Sequence, residues 1–385
     1  MKNLSVLMAA ALVSALTGCC CFKGGYPERI DEGFVDQADG GAALQAAFAK
    51  GGNFIARFEF LPDDEKSQAR NVTVLPARAD NVDRQIWGKD ANFAGNGSYL
   101  RKPGMWNFEE VKVIGGEIEV CLNGYFVTKA DISRLSAGRD AVRWVGFTGH
   151  EQYRNMRIRE LPACAKPGPC PKARMACPEG FTAYFDGDEE DLKANWKGVT
   201  TEEHFDNPNV RQAATDEKRA AMQKIADKAR DEHWHVKDGC LYFDGFKGGY
   251  SLATKRDYED FELWADWRIL SITGDSGLYL RGAPQVQIWD AHNQWQIGSG
   301  GLYNNQKNPS KALKIADTRV GDWNRFHVIM RGEKVTVWLN GELVVDNVTL
   351  ENYWDRKRPI FFKEQIELQC HGDPIEWRNV FIKEL

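Results

Sequence analysis

Three short runs hold side chains that could move protons or hold hydroxyl groups. They are Tyr279-Leu280-Arg281, Gln285-Val286-Gln287-Ile288-Trp289 and Glu367-Leu368-Gln369-Cys370-His371. Strand alternation decides which of these side chains share a face. Val286 and Ile288 are apolar and are expected to enter a core, turning Gln285, Gln287 and Trp289 to the other face. Ile366 and Leu368 likewise turn Glu367, Gln369 and His371 together, and Tyr279 and Arg281 are expected to share a face on a third strand. His371 is the first choice for a general base, because its unperturbed pKa lies near neutrality. The plain alternative is a histidine closing a turn before Gly372. Glu367 either orients His371 or acts itself, and otherwise is an exposed solubilising carboxylate. Arg281 offers a cation, or a salt bridge at a strand end. Gln285 and Gln287 are expected to bind hydroxyl groups, because paired amides on a concave sheet are hard to explain as solvated surface. Tyr303 is a candidate proton donor, or packs. A face of Arg, Gln, Glu, His and aromatics suits a sugar.

The elements that must carry these residues read as β. Val335, Val337 and Leu339 alternate with Lys334, Thr336 and Trp338, and Ile118, Val120 and Leu122 alternate in the same way. Phe261, Leu263, Ala265 and Trp267 form another such run. Asn123-Gly124 and Asn340-Gly341 follow two of these runs, and both residue types tolerate positive φ in a hairpin turn. The chain repeats itself. Trp106-Asn107 leads to Asn123-Gly124 at the spacing by which Trp323-Asn324 leads to Asn340-Gly341. His150, Arg154-Asn155 and Arg159-Glu160-Leu161 are echoed by His371, Arg378-Asn379 and Lys383-Glu384-Leu385, and Gln85-Ile86-Trp87 by Gln287-Ile288-Trp289. Many short strands separated by turns predict an all-β protein of two tandem sandwiches, over 30–161 and 181–385. Between them, 162–180 is rich in Pro, Ala and Lys and reads as a linker, with Cys164, Cys170 and Cys177 as staples at most. One helical insertion is expected from Asp216 to Glu232, with Ala220, Ile225 and Ala229 on its inner face.

The N-terminus speaks to location. Met1-Lys2 is followed by an uncharged apolar run from Leu4 to Leu16 and then Leu16-Thr17-Gly18-Cys19. The run is short for a membrane span and has the length of a signal-peptide core. The last four residues resemble a bacterial lipobox, which implies a signal peptide over 1–18, a lipid anchor at Cys19 and a periplasmic or outer-membrane surface location. The formal net charge is −5. No basic stripe points to nucleic acid, and the only membrane contact expected is the anchor. Thirteen Trp residues fit carbohydrate contact or large core residues. His233 and His235 flank Trp234 but are too few for a metal site, and the sequence leaves a divalent metal open. No nucleotide cofactor is expected.

The second repeat resembles the 3-keto-disaccharide hydrolase domain family. The resemblance rests on Trp234 with Asp238-Gly239-Cys240-Leu241, on Tyr258 to Leu263, on Ser276 to Arg281 and on Gln285 to Asp290. It continues through Gly321-Asp322-Trp323-Asn324, Leu339-Asn340-Gly341, Leu368 to Gly372 and Trp377 to Val380, in the family's order from about Phe181 to Leu385. It implies concanavalin- or laminin-G-like jelly rolls, and a disaccharide or glycoside substrate oxidised beforehand at C3, by an upstream sugar 3-dehydrogenase. The C3 carbonyl acidifies the C2 proton, and the enolate expels the C1 substituent, after which water can add back. The protein must supply a base near C2, donors for the enolate and a proton for the leaving group. Two carboxylates flanking an oxocarbenium ion are not required. In this reading Arg281 polarises the carbonyl or holds the enolate. Asp290 enters through the family motif alone, with turn capping or metal binding as alternatives. The first repeat has Val74-Leu75-Pro76 where the second has Leu280-Arg281, and reads as a degenerate relative. The competing reading is a carbohydrate-binding sandwich without catalysis. A laminarinase-type hydrolase is disfavoured, because its Glu-x-Asp-x-x-Glu motif is absent.

Overall fold

The computed structural model describes residues 32–38, 52–61, 73–75, 101, 104–131, 143–145, 152–162 and 175–385 apart from 294. Cys19 with its apolar run, Gln85 to Trp87, His150, Cys164 and Cys170 lie outside the described residues. Among the described residues, no helix is long and apolar enough to cross a membrane.

The first half contributes β1 (Val35–Asp36), β2 (Asn53–Leu61), β3 (Thr73–Leu75), β4 (Asn107–Ile114), β5 (Glu117–Leu122), β6 (Tyr125–Asp131), β7 (Arg143–Val145) and β8 (Gln152–Leu161). Six of these form one antiparallel sheet in the order β1-β8-β2-β4-β5-β6, and β3 pairs with β7. The second half begins with β9 (Thr182–Phe185), α1 (Glu189–Asn195), β10 (Trp196–Gly198), α2 (Pro208–Ala213) and α3 (Asp216–His233). Then come β11 (Trp234–Lys237), β12 (Cys240–Phe243), β13 (Leu252–Thr254), β14 (Phe261–Ile269), β15 (Asp275–Leu280) and β16 (Ala283–Trp289). The chain ends with β17 (Asn324–Arg331), β18 (Lys334–Leu339), β19 (Glu342–Thr349), β20 (Glu367–Leu368) and β21 (Ile375–Glu384). A five-stranded sheet, β10-β13-β20-β15-β16, faces an eight-stranded one, β11-β12-β21-β14-β17-β18-β19 with β9 on β21. The protein is thus all-β, built as sandwiches with few helices. Between the two sheets, Leu263, Trp267 and Trp377 meet Leu278, Val286, Ile288 and Leu368 in one core, each fully buried. Burial of side chains this size contributes roughly 1.5–3 kcal/mol apiece.

The repeated sequence signatures turn out to be hydrogen-bonding clips. Asn107 Oδ1 accepts from Asn123 Nδ2, and Asn123 Oδ1 accepts from the Phe108 amide. Asn324, Asn340 and the Arg325 amide repeat this pattern. Asn123 and Asn340 have φ of 48° and 53°, each followed by a glycine of positive φ, as the Asn-Gly turns require. Asn155 and Asn379 also have positive φ, 54° and 50°. Each donates to a carboxylate on the adjoining strand, Asn155 to Glu59 and Asn379 to Asp266. The preceding arginine stacks on the tryptophan of the Trp-Asn pair, with 3.9 Å from Arg154 to the Trp106 ring and 3.9 Å from Arg378 to Trp323. The Arg-Asn recurrence is accounted for by strand geometry.

Helix α3 forms where expected and buries Ala229 as expected, but Ala220 lies on its exposed side. Thr215 caps its first turn by accepting from the Lys218 amide, and Asp216 and Glu217 suit the positive helix end. Met222, Ala226 and Ala229 face inward, whereas Ile225 is exposed. The small alanines let the helix approach β10 closely, and the bulkier Ile225 would hold it off.

Candidate active site

The outer face of the five-stranded sheet reads as a grid. In one row, Lys197 on β10 lies opposite Ala253 on β13, Ala253 opposite Glu367 on β20, and Glu367 opposite Tyr279 on β15. Strand spacing puts the Lys197 and Glu367 backbones about 10 Å apart, with only a methyl group between them. In the next row the Gln369 amide donates to the Gly277 carbonyl, and Gly277 lies opposite Gln287. In the third row Asp275 lies opposite Trp289, and the His371 Nδ1 atom is 3.7 Å from Asp275. Gly277 leaves room for the two amides beside it, since a Cβ there would lie 2.9 Å from Gln369 Oε1 and 3.0 Å from Gln285 Cδ.

Glu367 is the strongest chemical feature of this face. It is 1% exposed, and burial pushes its carboxyl up to about 7, against the pull of Arg211, Gln365 and Lys197. Gln365 Nε2 donates to its Oε1 at 2.6 Å, whereas its Oε2 is buried without a partner. Gln369 Oε1 is a second buried oxygen without a partner on the same face. Beside this row, under α2 and α3, lies a cavity of about 430 Å³. Lys197, Arg211, Gln365, Gln223, Phe205 and Met222 are among its lining. Arg211 is held by Glu364 at 2.9 Å, and burial raises the carboxyl of Asp257, which also lines the cavity. A carboxyl of near-neutral pKa beside a cavity of this size can take up or release a proton from a bound small molecule.

The other residues read from the sequence fall into different places. His371 is at the rim, about half exposed, and its partner is Asp275 rather than Glu367. Glu367 bonds to Gln365 and so does not orient His371. Arg281 is not on the strand with Tyr279. It occupies the two-residue turn between β15 and β16 with φ of 49°, followed by Gly282 at 66°. The residue is 2% exposed and its guanidinium bonds the Phe362 and Gly332 carbonyls, which fixes it to neighbouring loops. Gln287 faces as expected, but Asp275, Ser276 and Ile288 take its amide protons and Gln285 donates to its oxygen. It orients Asp275 and has no donor left for a ligand. Gln285 uses only its Nε2 in that bond. Asp290 accepts from the Thr273 amide and from Asn293, so it caps the loop after β16. Trp289 is buried, stacked on Trp295 at 5.1 Å and edge-on to the half-exposed Tyr303 at 5.2 Å. His233 pairs with Asp244, and His235 stacks on Tyr242. Among the described residues, no three His, Cys, Asp or Glu side chains are grouped to hold a metal ion.

Lys197, Gln365, Arg211 and Asp275 were not legible as site residues. Asp275 carried a weak signal, two positions before Gly277 in the same alternation. Lys197 carried none, since only the pairing of β10 with β13 and β20 brings it to Glu367.

Comparison with known proteins places the family likeness in the second half of the chain. A Bacteroides thetaiotaomicron protein named 3-keto-disaccharide hydrolase is 23% identical over 205 residues, covering 40% of this chain and 70% of its own. A Parabacteroides distasonis structure assigned to the glycosyl hydrolases is 21% identical, covering 54% of this chain and 95% of its own, with a TM-score of 0.37. A carbohydrate-binding module from Bacillus subtilis is 13% identical, covering 37% and 86%, with a TM-score of 0.26. Residues 180–383, which hold both facing sheets and the whole grid, match the family model of the 3-keto-alpha-glucoside-1,2-lyase-like domain. By that match, over more than half its length, the chain belongs to the 3-keto-alpha-glucoside-1,2-lyase-like family.

Proposed function

We propose that the second sandwich cleaves 3-keto glycosides by elimination, with Glu367 as the base that removes the C2 proton. The observation that carries this is one carboxyl, buried, near-neutral in pKa at about 7, with an oxygen lacking a partner. A base of that pKa is balanced between being ionised and being strong enough to take a carbon-bound proton. Gln285 and Gln369 have amide oxygens free for substrate hydroxyls, and the Trp289, Trp295 and Tyr303 cluster offers apolar surface for a sugar ring. His371 is the weaker base candidate, because it is exposed and lies two rows from Glu367.

The test is turnover of a 3-keto disaccharide by the full chain, compared with Glu367→Gln and His371→Ala. Glu367→Gln is expected to lower kcat by about 10²–10⁴-fold, and His371→Ala by less than tenfold. In the native protein, kcat/KM is expected to rise with pH through about 7 as Glu367 ionises. The groups facing it that also carry charge are Lys197, Arg211 and Glu364. Loss of turnover in His371→Ala alone would return the base to His371. Binding of the keto sugar without release by the native protein would favour a carbohydrate-binding module.

A further inference from the structure

We propose that Lys197 is the proton donor to the departing oxygen, and that the cavity beside it holds the leaving group; this rests on Glu367 being the base. The two side chains stand in one row of the sheet, separated by Ala253 alone. A larger residue at 253 would place a wall where a glycosidic bond must lie. Lys197 also lines the cavity of about 430 Å³, which lies within the usual range for small-ligand sites. The lining mixes polar Gln365, Gln212 and Thr200 with apolar Phe205 and Met222, as the edge and face of a second sugar ring require. Among the described residues the Lys197 side chain makes no hydrogen bond or ion pair. The side chain is half-buried and lines the cavity, so its ammonium is within reach of a ligand bound there. Burial and the nearby Arg211 charge lower its pKa, which makes it a readier acid.

The step balances. The C2–H pair forms the C1–C2 double bond as Glu367 takes the proton. The C1–O bond breaks with its electrons on oxygen, and that oxygen takes a proton from the Lys197 ammonium. The products are a free alcohol and an unsaturated 3-keto sugar, with Glu367 protonated and Lys197 neutral. Addition of water at C1, with Lys197 taking the water proton and Glu367 returning its proton to C2, restores both groups.

A leaving-group comparison tests this. A nitrophenolate departs without a proton, whereas a sugar alkoxide does not. Lys197→Met in the full chain is expected to lower kcat/KM at least 100-fold on a 3-keto disaccharide and less than threefold on the 3-keto 4-nitrophenyl glucoside. Lys197→Arg keeps the charge but holds its proton far too tightly to donate it, and is expected to show the same split. Equal losses on both substrates, or wild-type turnover of the disaccharide by either variant, would overturn the assignment. Glu367→Gln separates the two readings, because loss of the base must slow both substrates alike. Full activity of that variant would remove the base reading on its own.

Discussion

A carboxyl whose proton is held by burial leaves a mark on stability as well as on rate. Glu367 folded has a pKa of about 7, against an ordinary value of 4.5. Between those values the folded chain keeps a proton that the unfolded chain has released. Its contribution is therefore full below about 4.5 and is lost as pH rises through about 7. The loss amounts to about 3 kcal/mol for a fully buried group. Glu367→Gln carries no such charge. It is expected to be more stable than the native protein by about 2–3 kcal/mol at pH 8, and nearly equal at pH 4.5. Urea unfolding at the two pH values measures this, and a gap independent of pH would contradict the pKa. A site residue that costs stability is common where a group is kept for its chemistry.

The elements around the site are set by close approaches. A Cβ on Gly198 would lie 2.0 Å from the Ala226 carbonyl oxygen in α3, so β10 and the helix touch through backbone. Asp227 secures the same contact by accepting from the Gly198 amide at 2.8 Å. Gly198→Ala must push α3 outward, and α3 roofs the cavity. The expected outcome is a loss of about 1–3 kcal/mol, with KM for a keto disaccharide rising more than kcat falls. Steady-state kinetics beside thermal melting would show it, and an unchanged KM in a destabilised protein would mean that the roof does not touch substrate.

Across the whole molecule, the six-stranded sheet of the first half is bound to the second half through buried charge. Its polar face carries Arg57, Glu110 and Arg157. Asp322 of the second half meets Arg57 at 3.2 Å and Arg157 at 3.0 Å. Arg268 bonds Glu376 at 2.6 Å and faces Glu110 at 3.8 Å. Phe108 enters the core of the second half, beneath Gly321, where a Cβ would lie 2.3 Å from its ring. Arg154 reaches Asn293, which holds the Asp290 loop near Trp289. Asp322→Ala would leave buried Arg157 without a carboxylate while Arg57 keeps Glu32 and Glu110, at a cost of about 2–3 kcal/mol. It is expected to split a single thermal transition into two, one for each half of the chain, read by calorimetry. Because the pairs are buried, the loss should change little with salt.

Local sequence pattern was enough to set the β class, the position of α3, the Asn-Gly turns and the faces of Val286, Ile288, Gln285 and Glu367. These follow from alternation and from residues whose backbone preferences are local. It also marked the recurring Trp-Asn and Arg-Asn pairs, though not that Glu59 and Asp266 are what the asparagines bind. Tertiary structure decided the rest, because it depends on which strands become neighbours. Alternation assigned Arg281 to a strand face, and a tight turn with positive φ took it away. It counted Gln287 as a ligand, and packing gave its hydrogen bonds to Asp275 and the backbone. It gave no sign of Lys197, more than 150 residues before Glu367, because the pairing of β10, β13 and β20 alone sets them in one row. Burial, which no linear pattern contains, is what raised the Glu367 carboxyl from the ordinary range to about 7.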